Sequence, residues 1–373
     1  MKTSKSRNSR NLNVKPSRPG VNFKLRKLHA PASKKNYAVR LEEYYNKKFG
    51  QVVTPVAILK TLAVISSTFK GNVKLWILNV APSRHLKTQT TQEQAQIFPK
   101  GKVVYLGSDF TIHGLIRDYD SGREINNKCL LINDMTLLLA SKAKQTKARL
   151  IDALSELASE GKYIYSDFQH TYEVKARFGF IANITPHSFL VNRNNMLGNT
   201  FTERCLVVYH WLTDAEMSEG NLSRANRTSM RIERFKQTIT EAEVKVTDED
   251  LVRFDEYAKR WRILGSYSSS SSLFDMIKSM ATAHAILSGR KKITHSVYRF
   301  LDMIEPYLRN PSENVKLKIL ELAHQGRSIR DICNILDKKY EKYRPFVSKV
   351  IWQYRKRGVL SPNTFEKKEL FDR

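Results

Sequence analysis

The chain has 373 residues, with 64 Lys and Arg against 36 Asp and Glu, for a formal net charge of +28. At about 100–200 residues per domain, this length predicts two or three domains. A hydrophobic content of 41% with 10% aromatic residues excludes a wholly disordered chain. No stretch reaches the ~18 apolar residues of a membrane span, and the N-terminus lacks a secretory apolar core. Cys129, Cys205 and Cys333 form no CxxC pair, and the histidines form no HxxxH or HExxH pair. These features point to a reducing setting without a membrane, cytoplasmic or nucleoid-associated, with an organellar or nuclear one left open, and to a polyanionic partner.

The charge is uneven. Residues 1–40 carry 12 Lys and Arg and no acid, among several Pro, Ser and Asn. This composition cannot bury enough surface to offset ordering entropy, so a disordered basic arm over 1–40 is expected. Residues 39–70 read as helical, with apolar groups three and four apart, and Gly71 breaks the pattern. The run Val73–Val80 suits a buried strand. It leads into Ala81-Pro82-Ser83-Arg84-His85-Leu86-Lys87-Thr88 and then Gln- and Thr-rich sequence able to start a helix.

Strand, eight-residue loop ending Lys-Thr, and helix is the layout of a phosphate-binding loop. Its backbone N–H groups, with Pro82 and Ser83 in the turn, would cradle phosphates. Lys87 would reach the terminal ones and the Thr88 hydroxyl would bind Mg²⁺. Ala81 and Leu86 stand where such loops carry glycine. A second apolar run, Lys128–Ile132, ends in Asn133-Asp134, and Asp134 is the candidate second metal ligand. A third, Phe178–Ala182, ends in Asn183-Ile184-Thr185, a polar strand tip able to orient a water. Phe201-Thr202-Glu203-Arg204 then precedes the apolar run Cys205–Trp211.

In this order, residues 50–310 resemble an AAA+ P-loop ATPase, nearest to helicase-like ATPases of mobile elements and minichromosome maintenance helicases. Leu273–Arg290 and Ile293–Val297 are similar to the small helical lid of those proteins. The resemblance implies ATP and Mg²⁺ as cofactors. It also implies Asn183 as the γ-phosphate sensor, Arg204 as an arginine finger for a neighbouring subunit, and Lys278 in place of the lid arginine. Leu86, Asn133 and Lys278 depart from the family pattern where hydrolysis is sensitive, which leaves turnover and binding alone both open. Glu156 and Glu160 are candidates for the missing glutamate. The serine-rich run 266–272 reads as a flexible connection.

Beyond Pro306 and Pro311, one amphipathic helix ends at Gly326, and Ser328 can cap a second. After a basic turn over 337–344, Pro345 would open a third helix with Phe346, Val350, Ile351 and Tyr354 facing inward. Val359-Leu360 reads as a wing strand. Three short helices and a β turn suggest a winged helix-turn-helix. Its third helix would present Ser348, Lys349, Gln353 and Arg355 to the major groove, with Arg344 and Lys356 on the backbone.

The expected fold class is therefore α/β. A P-loop nucleotide-binding core over 41–215 would carry a helical lid over 216–308, followed by an all-α, winged-helix domain over 309–373. The expected partners are DNA, double-stranded and also single-stranded, and further copies of the chain in a ring or filament. Two functions fit: an ATPase acting in DNA replication as an initiator, helicase or helicase loader, or an inactive scaffold binding DNA in replication, partition or transcriptional regulation.

Overall fold

A computed structural model describes residues 36–356 apart from 108–109, 141–143, 167–168, 199, 213–215, 218–229, 266, 268, 310–318, 320–321, 324–325 and 337–339. The basic arm and the wing strand lie outside these residues. The chain forms two compact units, one within 35–310 and one that includes 311–373.

The larger unit opens with α1 (Tyr37–Phe49), capped by the Asn36 side chain, and Gly50 ends it with φ of 84°. The helical pattern of 39–70 is thus two helices, since only α2 (Thr54–Ser66) follows the break. Every residue of α2 is buried, as its nearly continuous apolar sequence requires. Next come β1 (Trp76–Val80), α3 (Lys87–Ile97), β2 (Val103–Leu106), α4 (Ile112–Arg117) and β3 (Cys129–Ile132). They are followed by α5 (Met135–Ala140), α6 (Lys144–Glu160), the strands β4 (Lys162–Ser166) and β5 (Thr171–Lys175), and β6 (Gly179–Ile184). After α7 (Pro186–Gly198), a 3₁₀ turn at Phe201–Arg204 leads into β7 (Leu206–Tyr209).

Five strands form one parallel sheet in the order β2-β3-β6-β1-β7, while β4 and β5 make a separate antiparallel hairpin. Parallel strands need crossovers that cover both faces, and alternate residues accordingly enter two cores. Ile77, Leu131, Ile181 and Leu206 face α1 and α2; Trp76, Leu78, Leu130 and Phe180 face α5 and α6. Trp76 is fixed by an Nε1–H bond to Phe178 O (2.8 Å) and by stacking on the Phe178 ring. At Gly179 an added Cβ would lie 2.7 Å from Ala63 O, so only glycine lets α2 approach β6 this closely.

The helices α8 (Asp248–Gly265), α9 (Ser270–Leu287) and α10 (His295–Ile304) pack into the same core as α1 and α2. Core and helical region therefore share one hydrophobic interior. The serine run is not a connection throughout: Ser269 caps α9 and Ser270–Ser272 form its first turn, because serine hydroxyls satisfy free N–H groups at helix starts. No helix among the described residues is long and apolar enough to cross a membrane.

In the second unit, Ile319, Leu322 and Ala323 pack with α11 (Ile329–Ile335) and α12 (Tyr340–Lys356) around a small core. Ser328 caps α11 as expected, accepting from Asp331 N. Pro345 does not open the last helix but lies inside it. Tyr340 and Tyr343 pack against the core, and Arg330 and Arg344 lie over the Tyr340 ring, which extends the helix toward its N-terminus. The buried face is Val347, Val350 and Ile351, whereas Phe346 is 37% exposed.

Candidate functional site

The loop between β1 and α3 lies at the C-terminal edge of the parallel sheet, where ligands of open α/β sheets bind. Its turn is built without glycine: Arg84 has φ of 68° and Leu86 φ of 59°. Leu86 thus adopts the left-handed conformation that glycine takes freely, and its side chain packs against the α1–α2 core. The branched side chain that stands in place of the loop glycine is turned inward, toward the core. Ser83 and Arg84 are exposed and Pro82 half-buried.

Lys87, the first residue of α3, is 8% exposed, and its Nζ donates to Ala81 O (2.5 Å) and Pro82 O (2.8 Å) of its own loop. Burial lowers its pKa, and the charge of nearby Asp134 partly opposes that shift. Thr88 follows, half-buried. Asp134 sits just past β3, and its Oδ1 accepts from Thr136 N (2.8 Å) at the start of α5. Beside it, Asn133 Oδ1 is buried with no hydrogen-bond partner. Lys87, Thr88 and Asp134 are therefore brought to one place.

Behind the loop lies a network that sequence reasoning missed. Lys60, at the centre of α2 and fully buried, donates within 2.8–3.2 Å to Lys87 O, Thr90 Oγ1, Thr91 Oγ1 and Asn183 Oδ1. Burial, and then the neighbouring Lys87 charge, drive its pKa well below the usual lysine range. Asn183 is also fully buried: its amide donates to Thr91 Oγ1 (3.0 Å) and Asn133 O (3.3 Å), and its Oδ1 accepts from Asn79 Nδ2 (2.9 Å). The parallel register sets Asn79 opposite Asn183, which makes that pair unavoidable. Asn183 thus ties four elements together. The strand-tip position belongs to Thr185, whose hydroxyl meets that of Thr136 at 3.4 Å.

The chain continues through Asn79 Oδ1 to His210 Nδ1 (3.0 Å), and His210 Nε2 meets His85 O at 2.6 Å. His85 Nδ1 in turn accepts from Leu212 N (2.8 Å), so the loop crest is fastened to the end of β7. Burial outweighs the His85 carbonyl and brings the His210 pKa down to about 3. A lone lysine in an otherwise apolar helix, with the Thr90-Thr91 pair in the next helix, was the signal that could have revealed this network.

Other expected residues lie elsewhere. Arg204 ends the turn before β7, at the opposite end of that strand from the loop, and its Nε is buried without a partner. Lys278 is half-buried on α9; its neighbour Ser279 donates to Val73 O (2.6 Å), ahead of β1 and away from the loop. Glu156 and Glu160 are exposed on α6. On α12, Lys349 is exposed and Arg344, Ser348 and Gln353 are half-buried, while the side chains of Arg355 and Lys356 lie outside the described residues.

The residues fit a nucleotide phosphate and one divalent cation. An amine already seated on loop carbonyls and backbone N–H groups at the start of α3 suit phosphate oxygens, while one carboxylate and a neighbouring amide oxygen suit Mg²⁺, which usually takes few protein ligands. Among the described residues no group of three or more His, Cys, Asp or Glu could hold a metal, so the phosphates would have to supply part of its coordination.

Neither a family model nor a curated protein sequence matches the chain. In structure it is similar to a full-length MCM homolog from Methanopyrus kandleri, at a TM-score of 0.43 and 12% sequence identity, over 76% of this chain and 63% of that one. The chain thus spans just under two thirds of that protein's length.

Proposed function

We propose that the chain is a DNA-binding, AAA+ ATPase-like protein acting in DNA replication, as an initiator, helicase or helicase loader, and assembling into rings or filaments. The observation that carries the nucleotide part is the grouping of Lys87, Thr88 and Asp134 at the C-terminal edge of a parallel sheet. Bound ATP and Mg²⁺ supply a transferable phosphoryl group. Lys87 Nζ would exchange the Ala81 and Pro82 carbonyls for phosphate oxygens, and Pro82 and Ser83 shape the turn above them. Thr88 and Asp134 would hold the cation, and the buried, unpartnered Asn133 Oδ1 lies next to Asp134 in the chain. Asn183 acts through Lys60 and Asn133 and does not itself reach the phosphates. Arg204, at the far end of β7, serves a neighbouring subunit. Lys349, Gln353, Ser348 and Arg344 give α12 a polar, basic face suited to DNA, and the +28 charge adds a salt-sensitive, sequence-independent attraction.

One observation favours a second reading, in which nucleotide is bound without turnover. Position 133 offers an amide where a second acid would activate water, and Asn183 is sealed in the network. Nucleotide binding and DNA-stimulated ATPase activity of the full chain, at two salt concentrations and beside Lys87→Ala, test both. Lys87→Ala should bind ATP at least about tenfold more weakly while still unfolding cooperatively. No binding by the unmodified protein ends the nucleotide reading. Binding without turnover, with or without DNA, selects the scaffold.

A further inference from the structure

A fully buried lysine normally has an acid for a partner. Lys60, at the centre of α2, does not: among the described residues no carboxylate accepts from it. Its Nζ is surrounded instead by Lys87 O (3.1 Å), Thr90 Oγ1 (2.8 Å), Thr91 Oγ1 (2.9 Å) and Asn183 Oδ1 (3.2 Å).

These oxygens suit the amine in either protonation state. Lys87 O and Asn183 Oδ1 only accept. The threonine hydroxyls can turn, because each has another oxygen in reach: Lys87 O lies 2.9 Å from Thr90 Oγ1 and 3.0 Å from Thr91 Oγ1. A neutral amine gives its N–H groups to Lys87 O and Asn183 Oδ1, and its lone pair accepts from the Thr90 hydroxyl. A charged ammonium donates to Asn183 Oδ1 and to both hydroxyls, whose protons then turn to Lys87 O. Thr91 Oγ1 keeps the Asn183 amide proton in both states (3.0 Å). No heavy atom has to move.

Charge selects between the two forms. The titratable groups tied into the network are Lys87 on α3, His210 just past β7 and, through Gln94, Tyr45 on α1. The strands β1 and β6 contribute the uncharged Asn79 and Asn183. Burial keeps His210 and Tyr45 uncharged at neutral pH. Burial and then the Lys87 charge favour the neutral form of Lys60. Lys87 Nζ itself rests on two uncharged carbonyls, Ala81 O and Pro82 O, with Asp134 as the opposing charge.

We propose that Lys60 is a positioning residue that takes up a proton when phosphates occupy the β1–α3 loop, and so places a second positive charge behind Lys87. The inference rests on the nucleotide part of the reading above and adds a coupled proton to it. Phosphate oxygens neutralise Lys87 and bring negative charge to the start of α3, and both changes favour the ammonium. The proton comes from solvent, the amine lone pair binds it, and no other covalent bond changes. The charged form directs both threonine hydroxyls onto Lys87 O, which clamps the first turn of α3 beneath the phosphates. A group that gains a proton on binding makes affinity fall as pH rises.

Full-length protein is titrated with ATP and Mg²⁺ by calorimetry at about pH 8, where phosphate groups are already deprotonated, in two buffers of unlike ionisation enthalpy. The heats should differ by an uptake of up to about one proton per nucleotide, and ATP affinity should fall by up to about tenfold per pH unit. Lys60→Gln, which keeps two N–H donors, and Lys60→Met, of similar length, should give equal heats in both buffers and a flat pH profile. A merely structural role would change affinity or stability and leave the proton count as it was. Equal heats from the unmodified protein overturn the inference, as does an uptake that persists in Lys60→Gln. Should neither variant unfold cooperatively, the lysine ε-carbon NMR signals of the unmodified protein read the same step. One of them must pass from the neutral to the charged position when ATP is added, and its failure to do so overturns the inference. ATP binding without proton uptake removes this inference alone, whereas no ATP binding removes the nucleotide reading and this inference with it.

Discussion

The two sides of the β1–α3 loop are built on opposite principles. Behind it, Lys60, Asn79, Asn183 and His210 are fully buried and hydrogen-bonded in one continuous chain. In front, Asn133 Oδ1 has no partner and Asp134 makes one cap bond. Buried polar groups left unpaired cost stability, and paired ones confer rigidity. The difference teaches that the back fixes the loop's shape, while the front keeps unsatisfied valence where a cation and phosphates would be held. A loop without glycine keeps its turn because its foundations are overdetermined.

The contrast can be broken most directly at its two asparagines. Asn183→Leu has similar volume but strips partners from Lys60, Asn79 and Asn133 O, and should cost about 3 kcal/mol or more in urea unfolding. Asn133→Leu should fall within about 1 kcal/mol of the parent, since its buried oxygen has nothing to lose. Comparable losses from the two would abolish the distinction.

Acid should loosen the back of the loop. With its folded pKa held at about 3 against about 6.5 when unfolded, His210 contributes stability that is complete above pH 6.5. That stability drains away as pH falls toward 3, because the unfolded chain takes up the proton first. Between pH 7 and 5 the loss should be about 2 kcal/mol. Buried His284, lowered to about 4, adds in the same direction. His210→Gln should remove its own share, as measured by unfolding at the two pH values.

The smallest expected effect concerns the crest. Arg84 is exposed with φ of 68°, so Arg84→Gly relieves a left-handed backbone at no packing cost. It should stabilise by up to about 1 kcal/mol, read as a higher urea midpoint at unchanged slope. At Leu86 the same change also removes a side chain packed on the core, so its gain should be smaller.

Much of this was legible in the sequence for local reasons. The runs around β1, β3 and β6 are apolar apart from Asn79 and Asn183, because strands covered on both faces must be largely so. The loop and the Ser328 cap announce themselves through residue types at short spacing. Other elements were not legible. Tyr340 and Tyr343 carried α12 back across the expected turn by packing on a core made from distant residues. Ser270–Ser272 read as a connection because serine suits a helix start and a loop equally well.

By itself, then, the sequence determined the charge, the parallel α/β pattern and the Lys87-Thr88 pair, since each depends on composition or on neighbours within a few residues. Only the tertiary structure decided that Lys60 stands behind Lys87 across 27 residues, that Asn183 faces Asn79 across 104, and that His210 meets His85 across 125. It alone turned Leu86 into the core and moved Arg204 and Lys278 away from the loop. Those outcomes follow from strand order and register, which bring together residues that no local spacing relates.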